Sequence, residues 1–249
     1  MNQVLNQRGL WSLDELTAPL AQALLATARA IKQAKGHGQP LKGKHVAVLC
    51  ECDPGGAADV YSAAARGLGA QVTCIRPSES RLTDAGDIRA MARILGRLYD
   101  AIECDGMDPA FMRELAGSAA VPVSNVLQQQ RHPTRMLADL MTMQEVCAGS
   151  PGALAVCVIG DEHSPWSLAW RQVAAVCGIV VLAGTSGQRA DPVVRPIVFV
   201  CDPQGPRCSD GQPALLAVGV DNPRGASLAR RQVANHRYVV QAMLSQSVG

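Results

Sequence analysis

Three short segments contain the residue types from which a ligand site could be built. Gly55 and Gly56 follow the apolar run HVAVLC. A glycine pair in this position could offer bare backbone N–H groups to an anion, or it could form a plain strand-to-helix turn. Asp161 follows a second apolar run. It would lie at the carboxyl end of a strand, where open α/β sheets bind ligands, or it would cap the next helix.

The third segment reads His-Pro-Thr-Arg and begins at His132. His132 could contact a small ligand, or the His-Pro pair could shape the entry to a helix with Pro133 in its first turn. Arg135 could contribute to an anion site or form a salt bridge. We expect a small anionic or amino-acid ligand, no metal and no cofactor, and we assign no catalytic residue. The candidate ligand-binding residues are Gly55, Gly56, His132, Arg135 and Asp161.

The composition excludes several classes of partner. The chain of 249 residues has a formal net charge of +2 and only 3% aromatic residues. Binding to nucleic acids or anionic membranes usually needs a strong basic excess, and base stacking needs aromatic side chains. We therefore expect neither partner. The beginning of the chain has no apolar signal region and no stretch is long enough to span a bilayer, which predicts a soluble, cytoplasmic protein.

The nine cysteines indicate free thiols rather than a zinc site or disulfides. Their number is odd, no C-x-x-C pair occurs, and most lie inside apolar runs. Structural zinc sites need Cys and His clustered at short spacing. Buried thiols in a reducing compartment account for the pattern. Two histidines, His163 and His236, have no obvious partners, and we expect surface or capping roles for them.

Strand and helix patterns alternate along the first part of the chain. A capping box at Ser12 and Glu15 predicts the start of the first helix. Continuous apolar strands such as HVAVLC are typical of a parallel sheet that is buried on both faces. Residues 146–153 read as a connection, after which a shorter alternation begins and ends in a helix from about Ser227 to Ser245. The predicted domains are 1–147 and 148–249.

Several segments together resemble the aspartate/ornithine transcarbamoylase family, and within it the ornithine enzymes. The helix MARILGRLYDAIE is similar to the family's T-A-R-V-L-G-R-M-Y-D-G-I, and VPVSNVLQQQRHPTRMLADLMTMQE is similar to V-P-V-x-N-G-L-x-x-x-x-H-P-T-Q-x-L-A-D-L-L-T-M-Q-E. RRQVANHRYVVQAML resembles F-D-Q-A-E-N-R-x-H-T-x-K-A-V-M. The resemblance implies two doubly wound parallel-sheet α/β domains. We expect the second to be truncated, the C-terminal helix to return to the first, and the chain to form a homotrimer or a hetero-oligomer with a related enzyme.

The resemblance fails where the family holds carbamoyl phosphate. Pro54–Ala58 stand where the family has the S-T-R-T-R loop, and Asp105 and His236 stand where it has arginines. Arg135 replaces the glutamine of H-P-x-Q, and Arg81 aligns roughly with a loop residue from a neighbouring subunit. Losing about four charged hydrogen bonds at about 1.5–3 kcal/mol each removes roughly 6–12 kcal/mol, or at least about 10⁴-fold in affinity. Because Asp105 and Arg135 both change the charge of one former pocket, we favour a salt bridge between them.

The amino-acid half of the family's site is also missing. The D-x-x-x-S-M-G loop has no counterpart, and H-C-L-P aligns with AVGVDNP. His132 is the family residue that persists. We therefore interpret the chain as a degenerate, shortened paralogue that is non-catalytic and serves in binding, scaffolding or regulation. The alternatives are a carbamoyl- or acyl-transferring enzyme with an altered donor or amino acid, and an ordinary ornithine carbamoyltransferase.

Overall fold

The computed structural model describes residues 9–34, 38–50, 58–76, 85–126, 131–147, 155–159, 161–184, 197–201, 215–218 and 225–249. The strands are β1 His45–Cys50, β2 Gln71–Ile75, β3 Ala101–Asp105, β4 Val123–Ser124, β5 Ala155–Ile159, β6 Val180–Gly184, β7 Ile197–Cys201 and β8 Leu215–Val218. The helices are α1 Ala18–Gln33, α2 Ala58–Gly67, α3 Ala85–Leu98, α4 Pro109–Ala119, α5 Pro133–Val146, α6 Pro165–Cys177 and α7 Gly225–Ser247.

The first sheet is parallel and has the strand order β2-β1-β3-β4. Successive side chains of β1 point to opposite faces, so Val46 and Val48 join one buried cluster and Ala47 and Leu49 join another. The first cluster includes residues of α1, α2, α5 and α7, and the second includes residues of α3 and α4. Apolar layers on both faces explain why β1 is continuously hydrophobic, and they confirm a doubly wound α/β architecture.

The second sheet has the strand order β6-β5-β7-β8. Strands β5, β6 and β7 are parallel, but β8 is antiparallel to β7. The second sheet is therefore mainly parallel, as expected, and has one antiparallel strand at its edge. An antiparallel neighbour needs no crossover connection of the kind that a parallel one requires. One apolar cluster joins Val46 and Val48 of the first sheet to Val156 and Val158 of the second.

The N-terminal capping box begins a short 3-10 helix, Leu13–Glu15, and not the first α-helix. The Glu15 carboxylate accepts hydrogen bonds from the backbone N–H groups of Trp11 and Ser12. Helix α1 begins later, at Ala18, because Thr17 caps it and accepts a hydrogen bond from the backbone of Leu20. The predicted capping box is therefore present, but the helix that it begins is only one turn long.

The C-terminal helix α7 returns to the first sheet, where it packs on α1, α2 and α5. Polar side chains link it to α5 inside this contact. Asn235 donates to Thr142 Oγ1 at 2.9 Å, and Gln232 donates to Asp139 Oδ1 at 3.1 Å. Residues 148–154 are outside the described residues, so the division into 1–147 and 148–249 stays a prediction.

None of the helices found in the described ranges is long and apolar enough to cross a membrane.

Candidate functional site

His132 is the N-cap residue of α5, and its side chain is fully buried. Its Nδ1 accepts a hydrogen bond from the backbone N–H of Thr134 at 3.2 Å, and Pro133 occupies the first turn. Its Nε2 lies 2.7 Å from the carbonyl oxygen of Leu10. Both ring nitrogens are therefore engaged by the protein itself. The His-Pro pair shapes the entry to α5, as one of the two sequence readings predicted.

The hydrogen-bond partners determine the tautomer of His132. A carbonyl oxygen only accepts, so Nε2 carries the proton and donates it to Leu10. Nδ1 is then an acceptor, and the Thr134 hydroxyl at 2.8 Å donates to it. The Thr134 oxygen remains free to accept from Nε2 of His236 at 3.2 Å. The result is one directed chain from His236 through Thr134 and His132 to Leu10.

The two histidines in this series of hydrogen bonds, His132 and His236, are both neutral. Burial lowers the pKa of His132 to about 4, although the hydrogen bond to Leu10 opposes the shift. Burial lowers the pKa of His236 to about 3, and the charge of Arg135, with the charge that His132 would carry if protonated, acts in the same direction. The expectation of a surface or capping role for His236 is wrong, because its side chain is only 6% exposed and faces α5.

Arg135 pairs within its own helix. Its Nε lies 3.8 Å from Asp139 Oδ1, one turn further along α5. The expected salt bridge with Asp105 is therefore wrong. Among the described residues, the ion-pair partner of Arg135 is Asp139, which lies four positions further along α5 and is 1% exposed. Burial raises the pKa of Asp139 to about 6, while Arg135 and a hydrogen bond from Gln232 act against the shift.

Two polar residues lie at the carboxyl ends of β3 and β4, which are neighbours in the first sheet. Burial raises the pKa of Asp105, which ends β3. Asn125 follows β4, is 5% exposed, and its Oδ1 has no hydrogen-bond partner. Deeper in the sheet, the Ser124 hydroxyl donates to the carboxylate of Glu103, which is fully buried. Neither Asn125 nor Glu103 was predicted: Glu103 lies inside an apolar run, and Asn125 falls on the asparagine of V-P-V-x-N, a match that could have identified it.

No observed contact brings the other predicted site residues to His132 or Arg135. Gly55, Gly56 and Arg81 lie outside the described residues. Asp161 follows β5, and its side chain is 71% exposed. Its Oδ1 accepts from the backbone N–H of His163 at 2.9 Å, whereas Ser164 is the residue that caps α6.

The arrangement around His132 is suited to holding elements together. Pro133 has no N–H, and the next two backbone N–H groups of α5 donate to Nδ1 and the carbonyl oxygen of His132. The positive end of the α5 dipole is thus capped internally. Buried atoms without a hydrogen-bond partner remain on Arg135 (Nε), Asp139 (Oδ2) and Asn125 (Oδ1). In the part of the chain that the structure describes, no group of three or more His, Cys, Asp or Glu could hold a metal ion.

A family comparison matches the first half of the chain. The model for the "Aspartate/ornithine carbamoyltransferase, carbamoyl-P binding domain" matches residues 8–145. An ornithine carbamoyltransferase of Haemophilus influenzae (strain PittGG) is 36% identical over 180 residues, which are 71% of this chain and 54% of the relative. A catabolic ornithine carbamoyltransferase of Pseudomonas putida is 39% identical over 180 residues, again 71% and 54%. The chain spans about half the length of the curated relatives that it matches.

Solved structures match the fold over nearly the whole chain. Ornithine carbamoyltransferase from Pyrococcus furiosus superposes with a TM-score of 0.69 at 20% identity and covers 100% of this chain and 99% of that one. The Thermus thermophilus enzyme gives a TM-score of 0.68 at 23% identity, covering 96% and 98%. At such identities these similarities show the fold alone.

Proposed function

The chain belongs to the aspartate/ornithine carbamoyltransferase family, and on that premise we propose that it is a non-catalytic paralogue with a binding, scaffolding or regulatory role. The observation that carries the proposal is the state of His132. In the family that the chain resembles, this histidine helps to polarise the carbamoyl carbonyl. Here both of its ring nitrogens are hydrogen-bonded inside the protein, to Thr134 and Leu10.

The charges at the corresponding family positions also support the proposal. His236 stands where the family has an arginine, and burial keeps it neutral with a pKa of about 3. Asp105 stands where the family has another arginine and would repel a phosphate. Arg135 is beside Asp139, which offsets its charge when ionised. Few of these side chains could therefore offer an unpaired positive charge to a dianionic donor.

The intact framework favours a retained role over random decay. The buried side chains of β1 are apolar, and buried hydrogen bonds join α5 to α7. We therefore propose that the chain acts as an assembly component, either as a homotrimer or together with a related transcarbamoylase. Light scattering of the purified chain, alone and mixed with such an enzyme, tests this part. A strict monomer that forms no complex would contradict it.

A citrulline assay tests the absence of catalysis. The chain is incubated with saturating carbamoyl phosphate and ornithine, and the catabolic enzyme of Pseudomonas putida serves as the positive control. We expect no citrulline above the blank. Citrulline formation at a rate near that of the control would show an ordinary ornithine carbamoyltransferase instead.

A second candidate function is a transferase with an altered donor or amino acid. It is favoured by the buried polar atoms without partners on Asn125 and Arg135, which a bound ligand could satisfy. Thermal unfolding of the chain with carbamoyl phosphate, acetyl phosphate or individual amino acids tests this candidate. A rise in midpoint that is lost in Asn125→Ala would support it, and no rise with any compound would remove it.

A further inference from the structure

The outward face of α7 carries arginines around an exposed valine. Arg230, Val233 and Arg237 are exposed and follow one another at helical spacings of three and four, which places them on one side of the helix. Val233 is 48% exposed, which is high for a large aliphatic side chain. We refer to these three residues as the α7 arginine face.

Neither α7 nor its neighbour α1 supplies a carboxylate to this face. The sequences of both helices contain no Asp or Glu. At the contact of these helices, Glu145 of α5 is bound by Lys32 at 2.6 Å and by Asn235. Neither Arg230 nor Arg237 takes part in an ion pair among the described residues. The guanidinium of Arg237 lies over the Tyr238 ring at 5.5 Å, a contact that holds it at the surface.

The family pattern that this segment resembles has acidic residues on the same helix. In F-D-Q-A-E-N-R the aspartate falls at Arg231 and the glutamate at Ala234. The inward residues of this segment, Gln232 and Asn235, are the ones that agree with the pattern. This helix has therefore lost the acidic residues of the pattern while its packing residues are retained.

We propose that the α7 arginine face is the docking surface for a protein segment in which carboxylates flank an aliphatic side chain. This inference rests on the proposed function and names the chemistry of the partner. An arginine guanidinium can bind a carboxylate through two parallel hydrogen bonds. Val233 supplies a small apolar contact between the two arginines. Nucleic acid fits less well, because its binding depends on many phosphate contacts and the chain has a net charge of only +2.

A defined peptide tests the proposal. The probe is a fluorescein-labelled helical peptide with one glutamate a turn before and one a turn after a leucine, and fluorescence anisotropy measures its binding to the full chain. We expect Arg230→Glu/Arg237→Glu to bind the peptide at least about tenfold more weakly, and Arg230→Gln/Arg237→Gln to fall between it and the natural chain. A matched peptide with glutamines should not bind.

The chain offers a matched control on α3. Arg93 and Arg97 flank the exposed Ile94, so Arg93→Glu/Arg97→Glu changes the same charge on a similar surface and should leave peptide binding unchanged. Equal weakening by both double variants would overturn the proposal. So would tighter binding of phosphatidylserine vesicles or single-stranded DNA to the same arginines.

The non-catalytic role and the docking surface can be contradicted independently of each other. Citrulline formation by the natural chain would remove the non-catalytic role whatever the peptide does. An inactive chain whose Arg230→Glu/Arg237→Glu variant binds the peptide normally would remove only the docking surface.

Discussion

His132 donates a hydrogen bond from Nε2 to the carbonyl oxygen of Leu10 at 2.7 Å, across 122 positions of sequence. This bond fastens the segment before α1 to the N-terminus of α5, at the carboxyl edge of the first sheet. Thr134 extends the connection to His236 on α7. Three parts of the protein that are far apart in sequence thus meet in one buried network of hydrogen bonds.

We predict that Thr134→Val destabilises the fold by about 1–3 kcal/mol. The substitution conserves volume but removes the hydroxyl that donates to His132 and accepts from His236. The buried Nε2 of His236 then loses this partner, and His132 Nδ1 keeps only the weaker bond from the Thr134 backbone. Urea unfolding followed by circular dichroism measures the change. Thr73→Val on the exposed side of β2 is the control and should change stability by less than about 0.5 kcal/mol. If the two variants unfold alike, the chain of hydrogen bonds contributes nothing.

We predict that stability falls as the pH is lowered below about 6.5. The unfolded histidines titrate near 6.5, whereas the pKa values of His132 and His236 are lowered to about 4 and about 3 in the fold. Unfolding therefore takes up protons in this window, which favours the unfolded state. Asp139, with its pKa raised to about 6, binds a proton in the fold and opposes the loss from about pH 6 down to its ordinary pKa near 3.8.

The net effect is about one proton, or about 1.4 kcal/mol per pH unit between about pH 6 and 4. Urea unfolding at a series of pH values measures this slope. His132→Asn keeps a good N-cap residue but removes one titrating group, so its profile should be flatter. His163→Asn is the control, because that side chain is 82% exposed, and its profile should match the natural chain. A natural profile that is flat from pH 7 to 4 would contradict the burial of neutral histidines.

We predict that Gly96→Ala disrupts the packing of α3 against α4. An added Cβ at Gly96 would lie 1.7 Å from the carbonyl oxygen of Ala119, so the helices would have to separate. We expect a loss of at least about 3 kcal/mol, at the upper end of overpacking effects. Gly117→Ala in α4 is the matched control, since its Cβ would meet nothing within 4 Å, and it should stabilise the helix by about 0.5–1 kcal/mol. Equal thermal midpoints for the two variants would refute the close approach.

Much of the fold was predictable from local patterns. The apolar run at His45–Cys50 predicted a buried parallel strand, and Pro133 predicted the start of α5. The antiparallel orientation of β8 was not predictable, because an apolar strand looks the same in either direction. The predicted start of the first α-helix is too early, because the capping box at Ser12 is followed by a second cap at Thr17, after which α1 begins.

The site was harder to predict than the fold. Gln232, Asn235 and His236 have the spacing of a polar, solvent-facing stripe, yet all three are buried against α5. Their burial depends on complementary polar groups at Asp139 and Thr142, and helical periodicity does not reveal which polar faces meet. The pairing of Arg135 with Asp139 could have been found from their spacing of four along a helix.

Direct titration with carbamoyl phosphate in a calorimeter is the sharpest test of the central claim that the donor site has been lost. We predict no saturable heat, or a Kd weaker than about 1 mM, which corresponds to less than about 4 kcal/mol of binding free energy. A Kd of about 10 µM or tighter that disappears in His132→Asn would contradict the claim, because His132 would then be exchanging its bonds to Leu10 and Thr134 for the ligand.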